Sequence, residues 1–304
     1  MYELLLILTI VINITADFID RYSSNKSDAY VLTLWMSLVQ FLLIFPLIGL
    51  VERLSVSQFV LIAAVGAFTS FGRIRWFRAL SEESEQLSRL APLTRVSSVI
   101  VLVLAVTVLG ESFSWGQALG AGLIITGAFL ISFERWSAKL TTFVSNNRAV
   151  WLVIVFAASS ATLSVLYKYL LISKVSTWTI YFYVKLFQTV PLLLYGADRN
   201  VLTTSYLKIR NLKVFVFARV LQTAAAFLYL IVVKHLALTT IEPIAALSPL
   251  LLLVAEWGIN RLQMSPAAHG AIDVPVRPAE NRKPILRVIA VIAMIVGILV
   301  LGRA

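Results

Sequence analysis

A few ionisable side chains stand inside otherwise apolar runs, and these are the groups that could do chemistry. FGRIRWFRAL holds Arg73, Arg75 and Arg78; later apolar stretches hold Lys185, then Arg219 with Gln222, then Glu242 and Glu256. A charge at the centre of a membrane-spanning helix costs about 2.5–3.5 kcal/mol on insertion scales, so such residues tend to face a partner or an internal pathway. A guanidinium matches carboxylate or phosphate oxygens with paired donors, so the arginines suit an anionic ligand. Each group also has a structural alternative. Arg78 can reach the interface, with Glu82 four residues on. Lys185 and Arg219 can sit in buried ion pairs, and Glu256 can end its helix at the water boundary. If buried instead, Glu256 is the carboxylate that could carry a coupling proton.

Other chemistries have no residues to support them. The chain has no cysteine and two histidines, His235 and His269, with no metal-ligand spacing. No Ser/His/Asp set, phosphate-binding glycine loop or Walker motif is present, which argues against an enzyme, a bound cofactor or an ATP-driven pump.

These residues must be positioned by membrane-spanning helices. The 304-residue chain is 60% hydrophobic and 13% charged, with mean hydropathy +0.90. Soluble domains are nearer 45–50% apolar and about 25% charged. The net charge of +11 comes from basic residues set mainly between the apolar runs. That placement reads as an orientation signal, with no nucleic-acid partner expected.

Ten spans fit the hydropathy, at roughly 2–19, 29–51, 57–80, 90–109, 115–133, 150–171, 177–196, 214–234, 241–259 and 285–302. Lipid offers the backbone no hydrogen bonds, so the expected class is an all-α integral membrane fold. The expected organisation is a first five-helix repeat over 1–136, a basic linker over 137–149, and a second repeat over 150–304. The second repeat carries a polar, proline-containing loop at 262–284. An odd number of spans per repeat inverts one half relative to the other. Basic residues crowd the loops after odd-numbered spans (Arg135, Lys139, Arg210 and Lys213 among them) and are sparse after even-numbered ones. The positive-inside rule then puts both termini outside. Gly120 and Gly127 on the fifth span, and Ala290, Ala293 and Gly297 on the tenth, mark faces for close helix approach. They fit a dimer interface, a seam between halves, or ordinary bundle packing, and leave monomer and homodimer both open. Trp35, Trp115, Trp136, Trp151, Trp178, Tyr30 and Tyr181 fall near span ends, as an interfacial aromatic belt would.

One unit is repeated in weaker form. ALSEESEQLSRLAPL at 79–93 compares with ALTTIEPIAALSPL at 237–250; aligning Pro92 with Pro249 puts Glu85 opposite Glu242. Leu109-Gly110-Glu111 ends one apolar run, and Val254-Ala255-Glu256 is a degraded copy of that ending. With the glycine-rich continuation GQALGAGLIITGAFLIS, these residues make the chain resemble the EamA family of the drug/metabolite transporter superfamily. The resemblance is good over about 58–133, and in the second half rests on 237–256 and 288–302.

The resemblance implies a secondary active transporter that moves a small polar metabolite by alternating access. It implies a central cavity lined by the third, fourth, eighth and ninth spans, and termini in the cytoplasm, against the charge rule. In this sequence it points to Arg73, Arg75, Arg219, Gln222, Glu242 and Glu256, to which Lys185 is added by position. Glu85, Pro92, Glu111 and Pro249 are the repeat-motif residues, the prolines more suited to shaping helices than to touching substrate. The expected surroundings are a lipid bilayer, the inner or plasma membrane, and a small-molecule substrate. Proton coupling through Glu256 and an anionic substrate are two further expectations. The alternative is a non-transporting membrane protein, such as a lipid-head-group flippase accessory or a scaffold.

Overall fold

The computed structural model describes residues 1–24, 29–82, 94, 96–133, 148–197, 212–248, 251 and 284–301. Glu85, Pro92, Pro249, Glu256, most of the 137–149 linker and nearly all of the 262–284 loop lie outside the described residues. Among the described residues, ten α-helices occupy the positions of the ten expected spans. They are α1 (Tyr2–Ser24), α2 (Ala29–Ile44), α3 (Val56–Glu82), α4 (Val96–Leu109), α5 (Trp115–Phe133), α6 (Arg148–Ile172), α7 (Thr177–Ala197), α8 (Leu212–His235), α9 (Leu238–Ala245) and α10 (Pro284–Leu301). The described residues form no strand. Four helical stretches among the described residues are long and apolar enough to cross a membrane: Ala29–Leu50, which is α2 with the 3-10 turn that follows it, Val56–Ala79, Val150–Ile172 and Leu212–His235. Large apolar side chains such as Val60, Val103, Phe217 and Leu299 point outward, as a lipid-facing surface requires.

Two helix ends follow directly from sequence. α2 tightens into a 3-10 turn over Phe45–Leu50 because Pro46, at its start, has no N–H for the α-helical ladder. α4 stops at Gly110, which takes φ +67°, a left-handed conformation glycine adopts without a Cβ clash. The next N–H, of Glu111, then donates to the Ala105 carbonyl at 3.1 Å. The described part of α9 covers only the start of its expected span, the remainder of which lies mostly outside the described residues. Its last turn tightens through Ala246 N–H to the Glu242 carbonyl (2.9 Å) and Leu247 N–H to the Ile244 carbonyl (3.1 Å).

The helix pairs follow a rule. α1 packs on α8 as α6 packs on α3; α3 packs on α7 as α8 packs on α2; α4 packs on α6 as α9 packs on α1. α2 also packs on α7, α4 on α9 and α5 on α10. Adding five to a helix number thus carries these pairs into one another. The α5–α10 seam is tight: a Cβ on Gly297 would lie 2.7 Å from the Gly120 carbonyl, and one on Gly127 would lie 2.7 Å from the Ala290 carbonyl. Small residues let two backbones approach this closely, and dispersion contact then holds them where water is absent. The faces marked by Gly120, Gly127 and Gly297 are therefore buried against each other within one chain.

Candidate functional site

Four helices, α2, α3, α7 and α8, bring their polar residues to one place. Lys185 of α7 is 5% exposed. Its Nζ donates to Gln40 Oε1 of α2 (2.8 Å) and to Gln188 Oε1 on its own helix (2.9 Å), and lies 5.3 Å from the Tyr181 ring centroid. Gln188 passes the network on, its Nε2 donating to Thr69 Oγ1 of α3 at 2.9 Å. Gln40 donates in turn to Gln222 Oε1 of α8 at 3.3 Å. That same oxygen accepts from Arg219 NH1 at 2.7 Å, and the Arg219 guanidinium stacks over the Phe215 ring. Arg219 is fully buried. Ser70 of α3 fastens the cluster to α7 by donating to the Gln188 carbonyl at 2.7 Å. The backbones approach closely here, since a Cβ on Gly66 would meet Phe187 at 2.7 Å.

Among the described residues, the ionisable side chains of the cluster are basic, and Lys185 donates two hydrogen bonds, both to neutral amide oxygens. Arg73 of α3 is close enough for its charge to act on Lys185, Tyr181 and Tyr167. Arg73, Lys185 and Arg219 thus stand together. The buried carboxylate described nearby is Glu242 of α9, 6% exposed, which interacts with the Tyr229 hydroxyl; Tyr229 donates to Ser164 Oγ at 3.2 Å.

Of the residues singled out by sequence, Arg73, Lys185, Arg219 and Gln222 come together. Glu242 lies one layer away behind Tyr229 and Tyr167. Arg75 is directed elsewhere, its guanidinium 4.3 Å above the ring of Phe71, which faces outward. Gln40, Thr69 and Gln188 were not anticipated. A neutral amide within an apolar span needs an internal partner as much as a charge does, and that signal was available in the sequence. Tyr30 and Tyr181, expected in an interfacial belt, are instead buried, Tyr30 donating to the Leu192 carbonyl and Tyr181 inside the cluster, whereas Trp115, Trp151 and Trp178 are exposed as such a belt requires.

At the end of the bundle that carries the N-terminus, several contacts tie helices to one another. Glu111, just past α4, accepts from the Leu238 and Thr239 N–H groups at 3.0 Å each, capping α9. Lys168 of α6 donates to the Val233 and Leu236 carbonyls at 2.8 Å each, closing the end of α8, and feels the Glu111 charge. Glu52 donates its N–H to Thr179 Oγ1 (2.8 Å), and Tyr2 stacks on His235 with ring centroids 4.3 Å apart. Glu111 therefore does more than end its own helix at the water boundary.

Comparison with known proteins bears on the fold and the family. Residues 1–133 match the EamA-like transporter family. No curated protein matches the sequence. A protein of known crystal structure superposes with a TM-score of 0.66 at 13% identity, over 99% of this chain and 96% of the other. At that identity the likeness concerns the fold. Apolar helices and family together make this a multi-pass membrane protein.

Proposed function

We propose, from the match of residues 1–133 to the EamA-like transporter family, that the whole chain is a secondary transporter for a small metabolite bearing an anionic group. The observation that carries the reading is Lys185, buried at the junction of α2, α3 and α7 and held by two neutral amides. A cation solvated by such dipoles, with Arg73 and Arg219 beside it, favours a ligand that brings negative charge. A site enclosed by helices of both sequence halves is where alternating access would expose a substrate to one side and then the other. The rule that adding five to a helix number maps packing pairs onto pairs supports two related five-helix units, 1–136 and 150–304, joined by 137–149. With five spans each, they would be inverted relative to one another.

In this reading the ties made by Glu111, Lys168 and Glu52 are the closed gate at the N-terminal end. Glu242, or Glu256 beyond the described residues, is the carboxylate for proton coupling. The test is ligand-induced stabilisation of the purified protein in detergent. A panel of amino acids, sugars, organic acids and phosphate esters should yield stabilisation by anionic members alone, lost in Lys185→Gln. Stabilisation by neutral compounds that survives Lys185→Gln would refute the reading.

A further inference from the structure

The cationic cluster has a second layer. Tyr181 is 1% exposed, and its hydroxyl has no hydrogen-bond partner among the described residues; the buried Thr223 Oγ1 has none either. The two hydroxyls act on each other, but from beyond hydrogen-bond distance. Two buried hydroxyls with no closer partner among the described residues are uncommon, and a ligand group set between them would satisfy both.

Their placement is systematic. Tyr181 precedes Lys185 by four residues on α7, and Thr223 follows Arg219 by four on α8. Residues four apart share a helix face, about 6 Å apart along the axis at 1.5 Å per residue. The helices run antiparallel through the cluster. Trp178 and Tyr181 of α7 stack on Phe227 of α8, while Lys185 reaches Gln222 through Gln40. On both helices, therefore, the hydroxyl lies one turn from the cation in the same direction, toward the end where Tyr2 meets His235.

Resting on the anion reading above, we infer that the substrate is bifunctional. It carries a carboxylate or phosphate at the Lys185–Arg219 level and a neutral hydrogen-bonding group, a hydroxyl or carbonyl, about 6 Å away that is received by Tyr181 and Thr223. A site built to pair such a group discriminates strongly against an analogue lacking it, because its own buried polar atoms are then left unpaired. Tyr181 and Thr223 set specificity and the cations set charge preference.

The test uses two matched series: butyrate, 2-hydroxybutyrate and 4-hydroxybutyrate, and propyl phosphate with 3-hydroxypropyl phosphate. Only 4-hydroxybutyrate and 3-hydroxypropyl phosphate place a hydroxyl near the required distance. In at least one series the distal hydroxyl should tighten binding roughly tenfold, about one charged or well-placed hydrogen bond; the series that responds identifies the anionic group. In Tyr181→Phe/Thr223→Val, which keeps ring and volume, that ratio should fall to about one. Circular dichroism and the unliganded melting temperature, matched to those of the unaltered protein, show that the variant is folded. Equal binding of hydroxylated and plain anions by the unaltered protein would overturn the inference, as would a ratio unchanged in the double variant or no binding of any member. Anion binding that survives Lys185→Gln would instead overturn the reading on which it rests.

Discussion

Glu111 caps Leu238. The carboxylate that follows α4 takes the first N–H of α9 on one oxygen and that of Thr239 on the other, both at 3.0 Å. Gly110 makes this possible, because its left-handed φ turns the chain so that Glu111 leaves α4 toward α9. The corresponding ending in the second half reads Val254-Ala255-Glu256, where alanine replaces glycine. Glu111→Ala should destabilise the protein by about 1–3 kcal/mol, the range for leaving buried donors unpaired. It should also raise solvent access from the N-terminal end. Thermal unfolding and single-cysteine labelling near Tyr2, in a chain with no cysteine of its own, measure the two effects separately.

Lys185 is expected to matter for ligand more than for folding. Burying a charge is costly, so replacing it with a neutral donor of similar reach costs little stability or none. A ligand at 100 times its Kd stabilises a protein by about 2.7 kcal/mol. Lys185→Gln should abolish that increment for anions while leaving the unliganded melting temperature within a few degrees. A collapse of the unliganded protein would place Lys185 in the scaffold.

How much of this was legible beforehand follows from the physics of each feature. Helix positions were readable, because a span announces itself by length and hydropathy, and helix ends by Pro46 and Gly110. Arg219, Lys185, Gln222 and Glu242 were readable as charges or amides in the wrong solvent. The direction of each side chain was not. Arg73 and Arg75 are two residues apart, yet one reaches Lys185 and the other lies over Phe71; only packing decides that. Tyr181 looked interfacial because it lies four residues into its helix. The 3-10 turn and loop before α3 cover that end, with Glu52 bonded to Thr179, and put Tyr181 inside. The reach of Glu111 to α9 spans 127 residues of sequence, and no local pattern encodes it.

The α5–α10 seam gives a paired prediction. Gly297→Ala would put a methyl 2.7 Å from the Gly120 carbonyl and should cost about 1–3 kcal/mol, as overpacking does. Gly122, on the same helix as Gly120, has open space around it: a methyl group there would meet nothing within 4 Å. Gly122→Ala should be neutral or stabilising by about 0.5–1 kcal/mol, since glycine weakens a helix interior by that much. Chemical denaturation of the two variants in matched detergent distinguishes a packed seam from a loose one.

Proton coupling separates two carboxylates. Glu242 is buried against Tyr229, while the sequence alone favours Glu256. In proteoliposomes, neutralising the coupling acid should abolish uptake driven by a pH gradient and spare exchange of internal for external substrate, which needs no net proton movement. Glu242→Gln is the variant expected to behave this way. If Glu256→Gln does so and Glu242→Gln does not, coupling belongs to the later residue.

The most direct test of the central claim is two-sided access to the buried cluster. Thr223→Cys, the single thiol in the chain, would be labelled with a membrane-impermeant reagent in right-side-out and in inside-out vesicles. The account predicts labelling from both faces, with Glu111→Gln raising the rate from the N-terminal face and lowering it from the other. Labelling from one face only, whatever the state of Glu111, would contradict a site that opens alternately to the two sides of the membrane.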